Sequence, residues 1–194
     1  ILNNNLSRNS IPSKIMYINP NIESSYKDND LGRTLYNEVV KLKPQLVIDF
    51  GVLNGYSTVC IAQGLRDNGK GKVKVYDLFE KYEYNGAKFD KLIKTLEKHK
   101  LLDYVQIEEM NFFDWIKSPE KFDLLHLDIS NTGDIIDMVH NNIKDNGVVL
   151  FEGGSEERDR VGWIIRYNRK PINKSVAKFE VINRAFPSIS KLCH

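Results

Sequence analysis

The stretch Val47-Ile48-Asp49-Phe50-Gly51-Val52-Leu53-Asn54-Gly55-Tyr56-Ser57 decides how the rest of the chain is read. It continues a short run from Leu46 to Phe50 that is apolar on both faces except for its acid. Such a run fits a strand buried on both sides in a parallel sheet. Two glycines four apart, Gly51 and Gly55, then supply a turn in which the backbone can approach a ligand closely. Ser57 to Leu65 reads as a helix. Strand, acid, glycine turn and helix together open a βαβ unit.

Working outward, the unit returns. Lys72 to Asp77 is a second strand ending in an acid, and Lys88 to Leu102 an amphipathic helix with Phe89, Leu92, Ile93 and Leu96 inward. Val105 to Glu109 is a third strand and Phe122 to Asp128 a fourth. Asp134 to Ile143 reads as a helix burying Ile135, Ile136 and Val139, and the turn Asp145-Asn146-Gly147 leads into a fifth strand, Val148 to Glu152. Upstream, Leu35, Val39, Val40 and Leu42 mark one face of a helix that begins at Gly32 and stops at Lys43-Pro44. Downstream, residues 160–178 read as largely helical. Phe179 to Arg184 and Ser188 to Cys193, split by Phe186-Pro187, read as a terminal hairpin. The expected fold is α/β: a doubly wound, mostly parallel sheet of about seven strands with a C-terminal antiparallel hairpin. Residues 1–31, rich in Asn, Ser and Pro and without periodicity, form an arm or lid, and residues 32–194 a single domain.

The 194 residues carry 28 Lys+Arg against 26 Asp+Glu, a balance that lacks the strong basic footprint of a dedicated nucleic-acid binder. The length suits one domain with one sizeable core. The two cysteines, Cys60 and Cys193, sit in no CxxC or Cys/His cluster, which argues against structural zinc and against a disulfide framework. No apolar run reaches membrane-spanning length, and no basic-then-apolar start resembles a signal peptide. A cytoplasmic location is expected, and no residue pattern fixes the oligomeric state.

In open α/β sheets ligands bind beyond the C-terminal ends of the strands. Here those ends carry Asp49, Asp77, Glu109, Asp128 and Glu152. A row of carboxylates repels a pyrophosphate and suits a cationic ligand or a metal. Each acid alone could equally cap the helix that follows it. The first loop discriminates further. Its DxGxxxGxS spacing is neither the GxGxxG of dinucleotide sites nor the GxxxxGK[ST] of phosphate loops. Asp77, 28 residues after Asp49, stands where a carboxylate accepts hydrogen bonds from ribose hydroxyls.

The segment Val47 to Ser57 resembles the first motif of class I S-adenosylmethionine (SAM)-dependent methyltransferases. Tyr76-Asp77 resembles their second motif, Phe122 to Asp128 their fourth, and Asp145 to Glu152 the usual turn into their fifth strand. The resemblance covers about Gly32 to Glu152, and implies a Rossmann-like fold with SAM as cofactor and S-adenosylhomocysteine (SAH) as product. It places the cofactor against Asp49, Gly51, Asn54, Gly55, Ser57, Asp77 and Asp128, with Asn111 and Phe112 flanking the adenine. Ser24, Ser25 and Tyr26 would close over it.

Among the branches, the small-molecule O-methyltransferases of catechol and macrocin type are the most similar. Asp128-Ile129-Ser130-Asn131 is not the [ND]PP[YF] of base aminomethyltransferases, and neither cysteine is placed for a cytosine C5 mechanism. The ligand set of the metal-dependent members is broken, because Gly153 supplies no donor where they have a third ligand and only Glu156 or Glu157 could substitute. No metal site is expected, and magnesium is the less favoured reading. Asp128 and Glu152 are the expected catalytic groups, as base or as partners of the acceptor. His126, two residues before Asp128 and on the same strand face, is a further base candidate, with a buried structural histidine the favoured reading. Tyr82, Tyr84 and Phe89 either roof the site or pack in the core. Arg166, Arg169, Lys170, Lys174 and Lys178, with Trp163 and Tyr167 between them, suit either an anionic small-molecule acceptor or a solvated helix face. Two other functions compete: a catalytically silent SAM-fold subunit for binding or assembly, and, remotely, a nucleotide-binding oxidoreductase.

Overall fold

The computed structural model describes residues 16–84, 86–143 and 146–193. The first half of the expected arm and Asp145 of the expected turn lie outside these residues. Helices α1 (Leu31–Leu42), α2 (Tyr56–Asn68), α3 (Phe89–Lys98), α4 (Phe112–Trp115), α5 (Gly133–Asn142), α6 (Glu156–Asp159) and α7 (Gly162–Arg166) surround one sheet. Its strands are β1 (Leu46–Phe50), β2 (Lys72–Asp77), β3 (Val105–Glu109), β4 (Leu124–Leu127), β5 (Val148–Glu152), β6 (Phe179–Asn183) and β7 (Ile189–Leu192). The order is β3-β2-β1-β4-β5-β7-β6, with β7 antiparallel to both its neighbours and the other pairs parallel. The expected mixed sheet, with its terminal hairpin, is the observed one.

Period-two alternation divides the core into two layers. Val47, Leu124 and Leu150 face the layer built with α1 and α2, while Ile48, Phe50, Leu125, Leu127, Val149 and Phe151 face the layer built with α4 and α5. Following the first face along the strands leads to Asp49, His126 and Glu152. The same alternation that fills the core thus sets polar groups side by side at its C-terminal rim, and Asp49 is in register with His126. Tyr17, Ile22 and Tyr26 of the arm are buried in this layer. Ile18 is held to Gln63 of α2 by two hydrogen bonds of 2.9 Å.

Three elements differ from the sequence reading. Helix α3 ends at Lys98, and Phe89 stays partly exposed while Leu92 and Leu96 are buried. In α1, Leu35 and Val39 are buried but Leu42 is exposed at the end of the helix. Residues 160–178 are not largely helical: α7 has five residues, and a 3-10 turn covers Ile172–Lys174. Acid side chains there take over the backbone donors that a helix would satisfy. Asp159 accepts from the N–H groups of Ile172 at 2.7 Å and Asn173 at 2.9 Å, and Asp137 accepts from Val176 N–H at 2.8 Å. Pro171, which has no N–H to offer a helix, precedes the turn.

Candidate active site

The sheet order reverses between β2-β1 and β4-β5, so a crevice opens above the C-terminal ends of β1 and β4. Two cavities meet there. The wider, about 460 Å³, is walled by Asp77 and Leu78 after β2, Met110 to Phe113 after β3, Asp128 to Ser130 after β4, and Tyr82 on its rim. The narrower, about 60 Å³, lies between Glu23 to Tyr26 of the arm and Gly51 to Asn54 of the first loop. Ser25, Gly51, Leu53 and Asp128 belong to both walls. The wider one falls in the range typical of small-ligand sites.

Asp77 is half-buried, and each of its oxygens already accepts one backbone N–H, from Val52 at 2.9 Å and from Phe79 at 3.1 Å. Each oxygen keeps a further lone pair, and Asp77 lines the wider cavity. Asn111 caps α4 by accepting from Phe113 N–H at 2.8 Å, and Phe112 packs edge-on against Phe50 with ring centroids 5.5 Å apart. Asn54 joins three segments: it donates to the Glu23 carbonyl at 3.1 Å and accepts from Lys91 Nζ at 2.7 Å.

The glycines serve the protein's own packing first. Gly51 has φ +80°, and a Cβ there would stand 1.8 Å from the Asp128 carbonyl oxygen. The turn can therefore cross the end of β4 only as glycine. Gly55 has φ +88°, and a Cβ would meet Leu92 Cδ1 at 2.6 Å; Gly55 itself does not line either cavity.

Asp49 and His126 do not reach the cleft. Both are fully buried. Asp49 accepts from Ser57 Oγ at 3.0 Å, from Thr58 Oγ1 at 2.7 Å and meets His126 Nδ1 at 2.7 Å. Ser57 lines the narrow cavity, but its hydroxyl is spent on Asp49. The other ring nitrogen of His126, Nε2, is 3.1 Å from the Tyr26 hydroxyl. His126 therefore has no free edge with which to deprotonate an acceptor directly.

Glu152 is also buried, clasped by Arg158 through Nε and, at 2.9 Å, through Nη2. Arg158 in turn stacks over Trp163, its guanidinium 5.1 Å from the ring centroid. Burial, then the facing Asp128 carboxylate, push Glu152 up to about 7 despite Arg158. Burial raises Asp128 as well, opposed by His126, Tyr26 and Arg158 and reinforced by Asp49. Burial, followed by the carboxylates of Asp128, Glu152 and Asp49, holds the Tyr26 hydroxyl well above its ordinary value. With Arg158 occupying Glu152, the two acids do not present a paired ligand set. Among the described residues no three acids, histidines or cysteines gather as a metal cage, and Glu156 and Glu157 are exposed.

The raised Glu152 has a consequence for stability. An unfolded glutamate titrates near about 4.3, so the folded state prefers the protonated form. Its contribution is full below that value and is lost as pH rises through about 7. Chemical denaturation of wild type and Glu152→Gln between about pH 5 and 8 should show wild type losing ground to the variant as pH rises. A constant difference across that range would contradict the assignment.

Of the aromatic group after β2, Tyr82 lines the cleft, Tyr84 is exposed, and Phe89 packs on Phe79 at 5.4 Å. The basic segment stands away from both cavities: Arg166, Arg169, Lys174 and Lys178 are exposed, and Lys170 is paired with Asp137. Arg158 escaped the sequence reading because Glu156-Glu157-Arg158-Asp159-Arg160 looks like an ordinary solvated charge run.

A cleft over the switch point of a 3-2-1-4-5-7-6 sheet, walled by carboxylates and aromatic rings, defines a doubly wound α/β protein with its candidate site at the C-terminal ends of the strands. A family model described as a methyltransferase domain matches residues 48–152, and the chain belongs to that family, within the class I SAM-dependent methyltransferases. No curated protein matches the chain. Solved structures share the fold. An O-methyltransferase from Bacillus cereus in complex with SAH superposes with a TM-score of 0.60 at 18% identity, covering 91% of this chain and 84% of that one. An SAH-bound methyltransferase from Podospora anserina gives 0.58 at 15%, covering 88% and 79%. The O-methyltransferase TomG from Streptomyces achromogenes, in complex with SAM, gives 0.56 at 12%, covering 87% and 85%. Among the described residues no helix is long and apolar enough to cross a membrane.

Proposed function

We propose that the chain moves the methyl group of SAM to a hydroxyl of a small-molecule acceptor. The observation that carries this reading is the position of Asp128 in the walls of both cavities, where a ligand filling the two would turn from one into the other. The residues suit SAM. Asp77 has lone pairs for the ribose hydroxyls, Asn111 and Phe112 line the side expected to hold adenine, and Gly51 to Asn54 wall the smaller space expected to hold the methionine end. The Asp128 carboxylate then lies beside the sulfonium, which a negative group attracts. The relatives in complex with SAH and SAM support the same cofactor.

Bound SAM supplies an electrophilic methyl carbon. The protein's share is to hold the acceptor oxygen in line with it and to receive the hydroxyl proton. Of the two expected catalytic acids, Asp128 borders the cleft and Glu152 does not line it, being fixed by Arg158. Among the described residues the cavity walls hold no Lys or Arg to pair with an anionic acceptor, so the reading rests on a hydroxylated small molecule.

Turnover against a panel of hydroxylated metabolites tests this. With an acceptor in hand, activity should persist in chelator, and Asp128→Asn should lose roughly a hundredfold or more, the scale of general-base assistance. Full loss in chelator, restored by magnesium, would contradict the metal-free assignment.

A further inference from the structure

Asn131 is fully buried at the far end of the turn that carries Asp128. Its Nδ2 group donates to two backbone carbonyls, of Leu127 at 2.8 Å and of Glu152 at 2.9 Å. Leu127 is the last residue of β4 and Glu152 the last of β5. One side chain thus joins the ends of two neighbouring strands, where the two expected catalytic acids stand. An amide –NH2 has two hydrogens and can make both bonds at once, which a hydroxyl or a carboxylate cannot.

The residues between Leu127 and Asn131 are Asp128, Ile129 and Ser130, and all three line the wider cavity. The near end of this turn is held by β1 and the first loop. Asp128 N–H donates to the Phe50 carbonyl at 2.9 Å, and Gly51 packs on the Asp128 carbonyl so closely that a Cβ would stand 1.8 Å from its oxygen. Asn131 holds the far end, and its Oδ1 meets the Ile129 N–H at 3.5 Å. Just before it, Ser130 takes a left-handed φ of +63°. That conformation is unfavourable for a residue with a Cβ and persists where the surroundings impose it.

We infer that Asn131 is the positioning residue for Asp128: by tying the ends of β4 and β5 together it fixes where the Asp128 carboxylate stands against the sulfonium of SAM. This rests on the reading of the site as a SAM-dependent methyltransferase. Asn131 lines neither cavity, so it acts on the ligand only through the turn it closes. The consequence is discrimination between the cofactor and its product. SAM carries the sulfonium charge and SAH does not, so a carboxylate held beside the sulfur attracts SAM alone. When the turn loosens, that preference falls, while the contacts that SAM and SAH share along the rest of the cleft persist.

The ratio of SAH to SAM dissociation constants, measured by calorimetric titration, tests this without an acceptor. Asp128→Asn removes the charge and should lower the ratio about fivefold or more, the factor for about 1 kcal/mol between charges in contact. Asn131→Ser, which can reach only one of the two carbonyls, should lower it in the same direction by about twofold or more, the lower end of coupling between neighbouring residues. Added to Asp128→Asn, Asn131→Ser should change the ratio no further. Asn131→Gln keeps both hydrogens but sets them one methylene further out, and carries the same expectation should Asn131→Ser fail to fold. A merely structural asparagine would weaken SAM and SAH alike. A folded Asn131 variant with the wild-type ratio therefore overturns the proposal, as does an equal fall with and without the Asp128 carboxylate. A ratio that is the same in wild type and Asp128→Asn also overturns it, by removing the contact that Asn131 is held to position. Failure of the folded wild type to bind either ligand overturns the methyltransferase reading itself.

Discussion

Asp77→Ala should weaken SAM and SAH binding by about 1.5–3 kcal/mol, roughly ten- to 150-fold in Kd, the range for hydrogen bonds to a charged group. Two effects act in the same direction. The ribose hydroxyls lose their acceptor, and the Val52 N–H loses the carboxylate that holds the first loop in place. Asp77→Asn keeps one acceptor oxygen and should lose less. Calorimetric titration of folded samples checks both. An unchanged Kd in the alanine variant would contradict both effects.

Gly51→Ala should be the most damaging of the glycine substitutions tested, costing about 3 kcal/mol or more in denaturant unfolding. The added Cβ would overlap the Asp128 carbonyl oxygen and carbon at 1.8 and 2.6 Å, and both atoms are backbone. Gly55→Ala meets the end of a flexible leucine and should cost about 1–3 kcal/mol. Gly69→Ala shares the left-handed backbone, at φ +68°, but has nothing within 4 Å of the new atom, and should cost about 1 kcal/mol. The series separates crowding from backbone conformation. Equal losses in Gly51→Ala and Gly69→Ala would refute the close approach of the first loop to Asp128.

The legible parts of the fold were those that one local rule governs. The bounds of β1 and β5 follow from near-continuous apolar runs, those of β2 and β3 from apolar residues at alternate positions before an acid, and the parallel arrangement from their alternation with helices. Residues 160–178 were not legible, because Asp137 and Asp159, remote in sequence from some of the donors they serve, satisfy that backbone. The site divides in the same way. Asp77, the last residue of β2, and Asn111, Phe112 and Asp128, just beyond β3 and β4, line the cleft. Asp49 and His126 carry the right residue types on the right strands, but register pairs them with each other beneath the surface. Tyr26 and Arg158 act across long or irregular connections, where no periodicity marks a partner.

The central claim is that the joined cavities between the arm, the first loop and Asp128 hold SAM. Isothermal titration of the folded protein with SAM and with SAH measures it most directly. The account expects saturable binding of both at one site per chain, sharply weakened in Asp77→Ala. No heat from either ligand over a range of temperatures, with a sample that unfolds cooperatively, would contradict it.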